Sequence, residues 1–208
     1  MVSALHVSGT RVISPQEVDQ LVQVMQPDHR NLFRVLLYTG VRYSELNQLI
    51  ENPALFDEER ASIVIASTKS KAVHPRRRVL LNQHGIDAVK CWLANPYYVS
   101  PGVWNRRMQD YAKQAKLVAL PEYDRYVCVD RANRLFRQVR DNIWGINVKS
   151  TRKTWESWLV SAHRDKAVEI LRSQGHSDQT ALDHYINVGF IKAERERIAE
   201  QVSGWGEF

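Results

Sequence analysis

The chain has 208 residues, 44% hydrophobic and 25% charged, with a formal charge of +6 and a pI near 9.4. That length and apolar content support one medium domain or two small ones with a true core, and exclude a disordered chain. No run of about eighteen apolar residues occurs, so no membrane-spanning helix is expected, and the start MVSALHVSGT lacks the charged-then-apolar order of a secretory signal.

Residues 1–13 read as a loose lead-in. Ser14, Pro15 and Glu17 then form a capping box that starts a helix through SPQEVDQLVQVM. The next helix covers 29–38, with Leu32, Phe33, Leu36 and Leu37 on one side, and Gly40 in YTGVR supplies its end. Ser44 is placed to cap a short helix through ELNQLI, and Pro53 breaks the chain. ASIVIAST (61–68) and RRRVLLN (76–82) are strand-like and flank a cationic turn, the one β region that the pattern calls for. Helical spacing resumes after Asn82 with Ile86, Val89 and Leu93, and again from Ser100-Pro101 through about 116. Residues 119–129 read as a loop with a brief extended piece, and Asp130 as the cap of a helix carrying Leu135, Phe136 and Val139. Ser150 or Thr151 caps a helix with Trp155, Trp158 and Leu159. A further helix spans 165–172 and ends near Gly175. Ser177 caps one over 178–187, and a last polar helix covers 190–202. The expected fold class is mainly α with a small antiparallel β-sheet (α+β).

Charge is unevenly laid out. KSKAVHPRRR (69–78) holds five cations and no acid, and WNRRMQDYAKQAK (104–116) holds four cations and one acid. Acids collect at 57–59 and in the last helix, which leaves one face positive and suited to a polyanion. Arg76, Arg77, Arg78, Arg106, Arg107 and Lys113 are the candidates for contacts with a phosphate backbone, which position a protein without selecting a sequence. Cys91 and Cys128 read as buried free thiols of a reducing compartment. Neither has metal-ligand spacing to a histidine, so no metal site is expected.

The stretch RSQGHSDQTALDHY (172–185) raises a chemical question. On one straight helix His176 and Tyr185 would face opposite ways, but Gly175 and capping Ser177 put His176 in the bend before the helix. A core tyrosine beside a helix-end histidine would also satisfy the pattern. A tyrosine nucleophile has an ordinary pKa near 10 and needs cations around it and its target. A phosphodiester target calls for rigid bidentate donors, which favours arginine, and its leaving alkoxide calls for a positioned acid. Arg42 and Arg152 both stand near helix N-termini, where an anion is favoured, although ordinary ion pairs such as Arg42 with Glu45 are the simpler account of each arginine taken alone. Lys149 lies three residues before Arg152. Lys69 and Lys71 sit in the cationic turn, and lysine can release its proton as an acid.

Taken in order, these pieces resemble the catalytic domain of the tyrosine recombinases, or phage integrase family, over about residues 14–190. LLYTGVRYSELNQL is similar to the first box, with Arg42 the first catalytic arginine and Glu45 its acidic supporter. STKSKAVHPRRRVLL is similar to the hairpin that carries the general acid, where position favours Lys69 over Lys71. VKSTRKTWESWLV is similar to the second box, with Arg152 the second arginine, and LRSQGHSDQTALDHY to the last, with His176 and the nucleophile Tyr185. Lys149 departs from the histidine usual three residues before the second arginine, and in this it resembles integrases of archaeal viruses and plasmids of the spindle-shaped virus type. The family's N-terminal DNA-clamping domain is not in the sequence, so the chain is expected to be an excised catalytic fragment or else a protein that works without the clamp, the fragment being favoured.

The resemblance implies a lead-in over 1–13, a DNA-cleaving domain over 14–190, and a C-terminal helix and tail over 191–208 that is either a docking element for a neighbouring subunit or a plain polar tail helix. It implies cleavage and rejoining through a 3′-phosphotyrosyl link, for integration or excision of a mobile element. Double-stranded DNA with specific attachment sites is the implied partner, with a homo-tetramer on DNA and a monomer when free, in the host cytoplasm. No cofactor or metal is implied. A type IB topoisomerase shares the chemistry, and a degenerate DNA-binding protein shares the fold. These remain the competing readings.

Overall fold

The computed structural model describes residues 6–7, 10–66, 76–120, 126–130, 135–138, 142–175 and 189–207. Helix α1 (Pro15–Val24) begins with the expected reciprocal box: Glu17 N donates to Ser14 Oγ at 3.3 Å, and Ser14 N donates to Glu17 Oε2 at 2.9 Å. Helix α2 (Pro27–Thr39) buries Leu32, Phe33, Val35, Leu36 and Leu37 completely, more than one amphipathic stripe, because it runs through the middle of the molecule. Gly40 ends it in the left-handed region. A 3-10 turn, Tyr43–Glu45, then leads into α3 (Leu46–Glu51). Ser44 is exposed and does not cap this turn. The amide of Arg42 instead donates to the Glu45 carboxylate at 2.7 Å, so the acid three residues on does the capping.

Strands β4 (Ser62–Ala66) and β5 (Arg76–Leu80) pair antiparallel as their patterning requires, with Ile63 opposite Val79. A short strand Phe56–Asp57 (β3) adds to the outer edge of β4. Helices α4 (Gln83–Ala94) and α5 (Pro101–Gln114) start at Asn82 and Ser100, whose side chains accept from the amides three residues on. Helix α6 (Ser150–Ala162) starts one residue earlier than a Ser150 cap would give, because Ser150 Oγ accepts from Asn147 N instead. Helix α7 (Ala167–Gln174) stops at Gly175. Helix α2 packs against α4 and α6, and α7 packs against both α6 and β5. Trp92, Trp104, Trp155, Trp158 and Trp205 are all fully buried in this core.

Three features correct the sequence reading. Where Asp130 was expected to cap a helix, Tyr126–Asp130 and Leu135–Gln138 pair as an antiparallel hairpin. The apolar run at 135–139 is too short for its spacing to separate helix from strand, and the β-rich YVCV segment supplies a pairing partner. A second two-stranded pair joins His6–Val7 (β1) to Thr10–Arg11 (β2). Residues 10–13 are therefore no loose lead-in. Arg11 is fully buried, donates to Val118 O at 2.7 Å, and pairs with Glu17, while Ile13 N donates to Thr154 Oγ1 at 2.8 Å. Lastly, Cys91 is an exposed thiol on the outer face of α4, not a buried one.

The C-terminal helix α8 (Lys192–Val202) packs against α6 and α1. Ile198, Val202 and Trp205 are fully buried there, Trp205 Nε1 donates to Leu80 O at 3.1 Å, and Tyr38 Oη donates to Gln201 Oε1 at 2.7 Å. No helix among the described residues is long and apolar enough to cross a membrane. Replacing Trp205 by alanine is expected to cost about 3–5 kcal/mol in urea unfolding, against less than about 0.5 kcal/mol for the exposed Val168→Ala.

Candidate active site

Three helix ends meet on one side of the core: the C-terminus of α2 at Gly40, the first turn of α6, and the C-terminus of α7 at Gln174 and Gly175. Arg152 ties them together. Its Nη1 donates to Gly40 O at 2.8 Å, its Nη2 donates to Gln174 O, and its Nε pairs with Glu156 Oε1 at 2.9 Å. Helix C-termini present unpaired carbonyls and negative partial charge, which favours a guanidinium at that spot. Arg42 approaches from the turn after α2. Its Nη1 pairs with Glu45 Oε1 at 2.6 Å, and its Nη2 reaches Gly175 O at 3.4 Å. The two arginines thus address consecutive carbonyls, 174 and 175, and each keeps some exposure: 20% for the Arg42 side chain and 9% for Arg152.

Two glycines permit this approach. Gly40 has φ +62°, and a Cβ there would lie 2.5 Å from Gln174 Oε1 and 2.8 Å from Trp155 Cδ1. Gly175 has φ +69°, and its Cβ would lie 2.7 Å from Arg77 Cδ. Neither position tolerates a side chain on conformational or on steric grounds. Gln174 Nε2 donates to Thr39 O at 3.3 Å and so ties the end of α7 to the end of α2.

Beneath Arg42 lies a shared carboxylate. Glu45 is fully buried and accepts from Arg42 through both its amide and guanidinium, and from Arg77 Nη2 at 2.6 Å. Burial alone would raise its pKa. The charge of Arg77, the Arg42 amide and the Arg42 guanidinium outweigh that and hold it below the ordinary 4.5. Burial brings the Arg77 guanidinium down to about 10. Glu45 opposes that fall, and the nearby charges of Arg152 and Arg42 add to it. Arg77 differs from its sequence assignment as a surface phosphate contact. Side chains alternate along β5, so Arg76 and Arg78 are exposed while Arg77 turns inward beside buried Val79. On α5, Arg106 and Lys113 are exposed and Arg107 is half-buried.

Lys149 is exposed at the start of α6, one turn before Arg152. On the next turn the half-buried Lys153 amine is brought down to about 8, first by burial and then by Lys149, with Glu156 opposing. Lys69, Lys71, His176 and Tyr185 lie outside the described residues. Sequence reasoning did not single out Arg77 as an inward group, nor Glu156, Gln174 and Lys153. The Arg152–Glu156 spacing of four was a legible helix-pair signal, and Arg77 shares strand parity with the apolar Val79. Nothing in the pattern marked Gln174, whose role comes from its backbone carbonyl and a tertiary contact.

No family model matches the sequence, and no curated protein does. Solved structures do match. The Tn1549 transposon integrase in complex with transposon right-end DNA superposes with a TM-score of 0.59 at 16% identity, covering 92% of this chain and 66% of that one. XerA recombinase gives 0.56 at 18% identity, covering 92% and 64%. The fold is that of the tyrosine recombinase catalytic domain. XerH site-specific recombinase bound to palindromic difH substrate shares it with a TM-score of 0.56 at 16% identity, covering 95% of this chain and 53% of that one. The chain therefore spans 53–66% of the length of these recombinase structures.

Two outcomes follow for the charged groups. At neutral pH, Glu45→Gln strands the buried Arg77 and is expected to destabilise by about 3 kcal/mol in urea unfolding. Because the folded-state pKa of Glu45 is depressed, its stabilisation is complete above the ordinary 4.5 and is lost as pH falls through the folded value. The gap between wild type and Glu45→Gln should accordingly shrink in acid. A gap independent of pH would contradict the ion-pair assignment. For Lys153, NMR titration of the lysine side chains should show one amine near 8, moving upward in Lys149→Ala.

Proposed function

We propose that this chain is the DNA-cleaving domain of a tyrosine-type site-specific recombinase, breaking and rejoining duplex DNA through a 3′-phosphotyrosyl intermediate. The observation that carries this reading is the meeting of Arg42 and Arg152 at carbonyls 174 and 175, directly ahead of His176 and the segment ending in Tyr185. The Tn1549 integrase structure is a complex with transposon right-end DNA and the XerH structure holds a palindromic difH substrate, and the shared fold supports duplex DNA as the partner here. The exposed Arg76, Arg78, Arg106 and Lys113 suit contacts with its phosphates.

Arg42 and Arg152 hold the nonbridging oxygens of one scissile phosphate. Lys149 and His176 donate further hydrogen bonds as negative charge grows on those oxygens. The Tyr185 oxygen attacks phosphorus in line and its proton passes to solvent. The bond from phosphorus to the 5′ oxygen breaks as the bond to tyrosine forms, and Lys69 protonates the leaving oxygen. A 5′-hydroxyl from a second strand then reverses the step, so phosphodiester bonds are exchanged without loss of energy. In this reading the chain acts on a mobile element of archaeal-virus or plasmid type, as a tetramer on paired attachment sites in the host cytoplasm.

The test uses nicked duplexes of randomised sequence, which trap a covalent adduct. Wild type should give a DNA–protein band on a denaturing gel, and Tyr185→Phe none. Arg42→Ala and Arg152→Ala should each lower its rate by at least about 100-fold. Lys69→Ala should block cleavage and Lys71→Ala spare it, and the reverse would move the acid to Lys71. An adduct that persists in Tyr185→Phe overturns the assignment, and relaxation of supercoils without recombination between paired sites would make the protein a topoisomerase.

A further inference from the structure

The three consecutive arginines of β5 are not equivalent, and the middle one has no place in the cleavage scheme above. The Arg77 side chain is 7% exposed, yet only its Nη2 has a partner among the described residues, the Glu45 carboxylate. Its Nε and Nη1 are buried without one there. Its stem lies where a Cβ on Gly175 would be, and Gly175 O is the carbonyl that Arg42 reaches. Arg77 is therefore wedged between the acid that holds Arg42 and the backbone that Arg42 touches.

Charge gives this placement a consequence. A lone Arg42–Glu45 pair would be neutral, and a neutral pair attracts a phosphate poorly. With Arg77 on the second carboxylate oxygen, Glu45 is shared, and the group of three keeps one net positive charge. Arg42 is the more exposed of the two cations, so that charge is presented outward through it. The paired oxygens also fix Glu45, and through it the direction of the Arg42 guanidinium.

We propose that Arg77 is a positioning residue for DNA cleavage: by sharing the Glu45 carboxylate and packing on Gly175, it keeps Arg42 aimed and electrostatically available to the scissile phosphate. This rests on the cleavage reading above. It assigns Arg77 no contact with DNA, which separates it from the exposed arginines on either side.

The experiment measures single-turnover adduct formation at saturating protein, duplex affinity with its salt dependence, and urea unfolding, for Arg77→Met, Arg77→Lys and the double variant Glu45→Gln/Arg77→Met. Arg77→Met should slow cleavage by about 10–100-fold, the value of one charge-assisted hydrogen bond. Its duplex affinity and salt slope should stay within about threefold of wild type, because no phosphate contact is removed. Arg77→Lys keeps the charge beside Glu45 and should recover most of the rate. The double variant removes both buried charges, so it should fold even where Arg77→Met does not, and should still cleave slowly. Wild-type cleavage in Arg77→Met, a salt slope that falls with the rate, or a lysine variant as slow as the methionine one would each overturn the proposal while leaving the cleavage reading intact. Absence of any adduct from wild type would overturn that reading, and this inference with it.

Discussion

A carboxylate removed from water between two guanidinium groups forms only where surrounding structure supplies every partner. Glu45 is such a group, with Arg42 on one oxygen, Arg77 on the other, and the Arg42 amide completing its shell. Both arginines come from separate elements, a turn after α2 and a strand of the sheet. Their meeting couples the helical core to the hairpin. Loss of either partner would leave a buried charge uncompensated, which is far costlier than never having built the pair. The interaction thus fixes register as much as it stabilises.

Around that pair the fold is organised by helix ends. The C-termini of α2 and α7 point carbonyls at the same place, and Arg152 from the first turn of α6 closes both. Fully buried Trp155 and Trp158 on α6 hold that helix in the core behind Arg152. A Cβ on Gly40 would collide with Gln174 at the end of α7 and with Trp155, and one on Gly175 would collide with Arg77 of β5. The outcome is a set of cations held by rigid backbone, with His176 the next residue in the sequence. Pre-organisation of this kind is what a site that stabilises developing negative charge requires.

Much of this was legible from residue patterns. Ser14-Pro15-Glu17, Gly40, Ser100-Pro101 and Gly175 mark helix ends through local chemistry that tertiary contacts do not override. The ordered boxes singled out Arg42, Glu45 and Arg152, and the structure brings Arg42 and Arg152 to the neighbouring carbonyls of Gly175 and Gln174, with Glu45 paired to Arg42. The 126–138 hairpin was missed because its apolar runs are too short to have a period. The burial of Arg11 was missed because its carbonyl partners, Val118 and Trp144, are remote in sequence. Arg77 was grouped with its neighbours by composition, whereas strand parity separates it from them. Composition reports how many cations a segment carries and says nothing about which of them face the core.

The most direct measurement of the central claim, that Arg42 and Arg152 serve one anion, is an NMR titration of the arginine Nε–Hε signals with orthovanadate, a mimic of phosphorus in transfer. The resonances of Arg42 and Arg152 should move together along a single isotherm, with those of Arg76 and Arg78 unmoved. Separate isotherms for the two, or a response confined to the exposed arginines, would contradict the account.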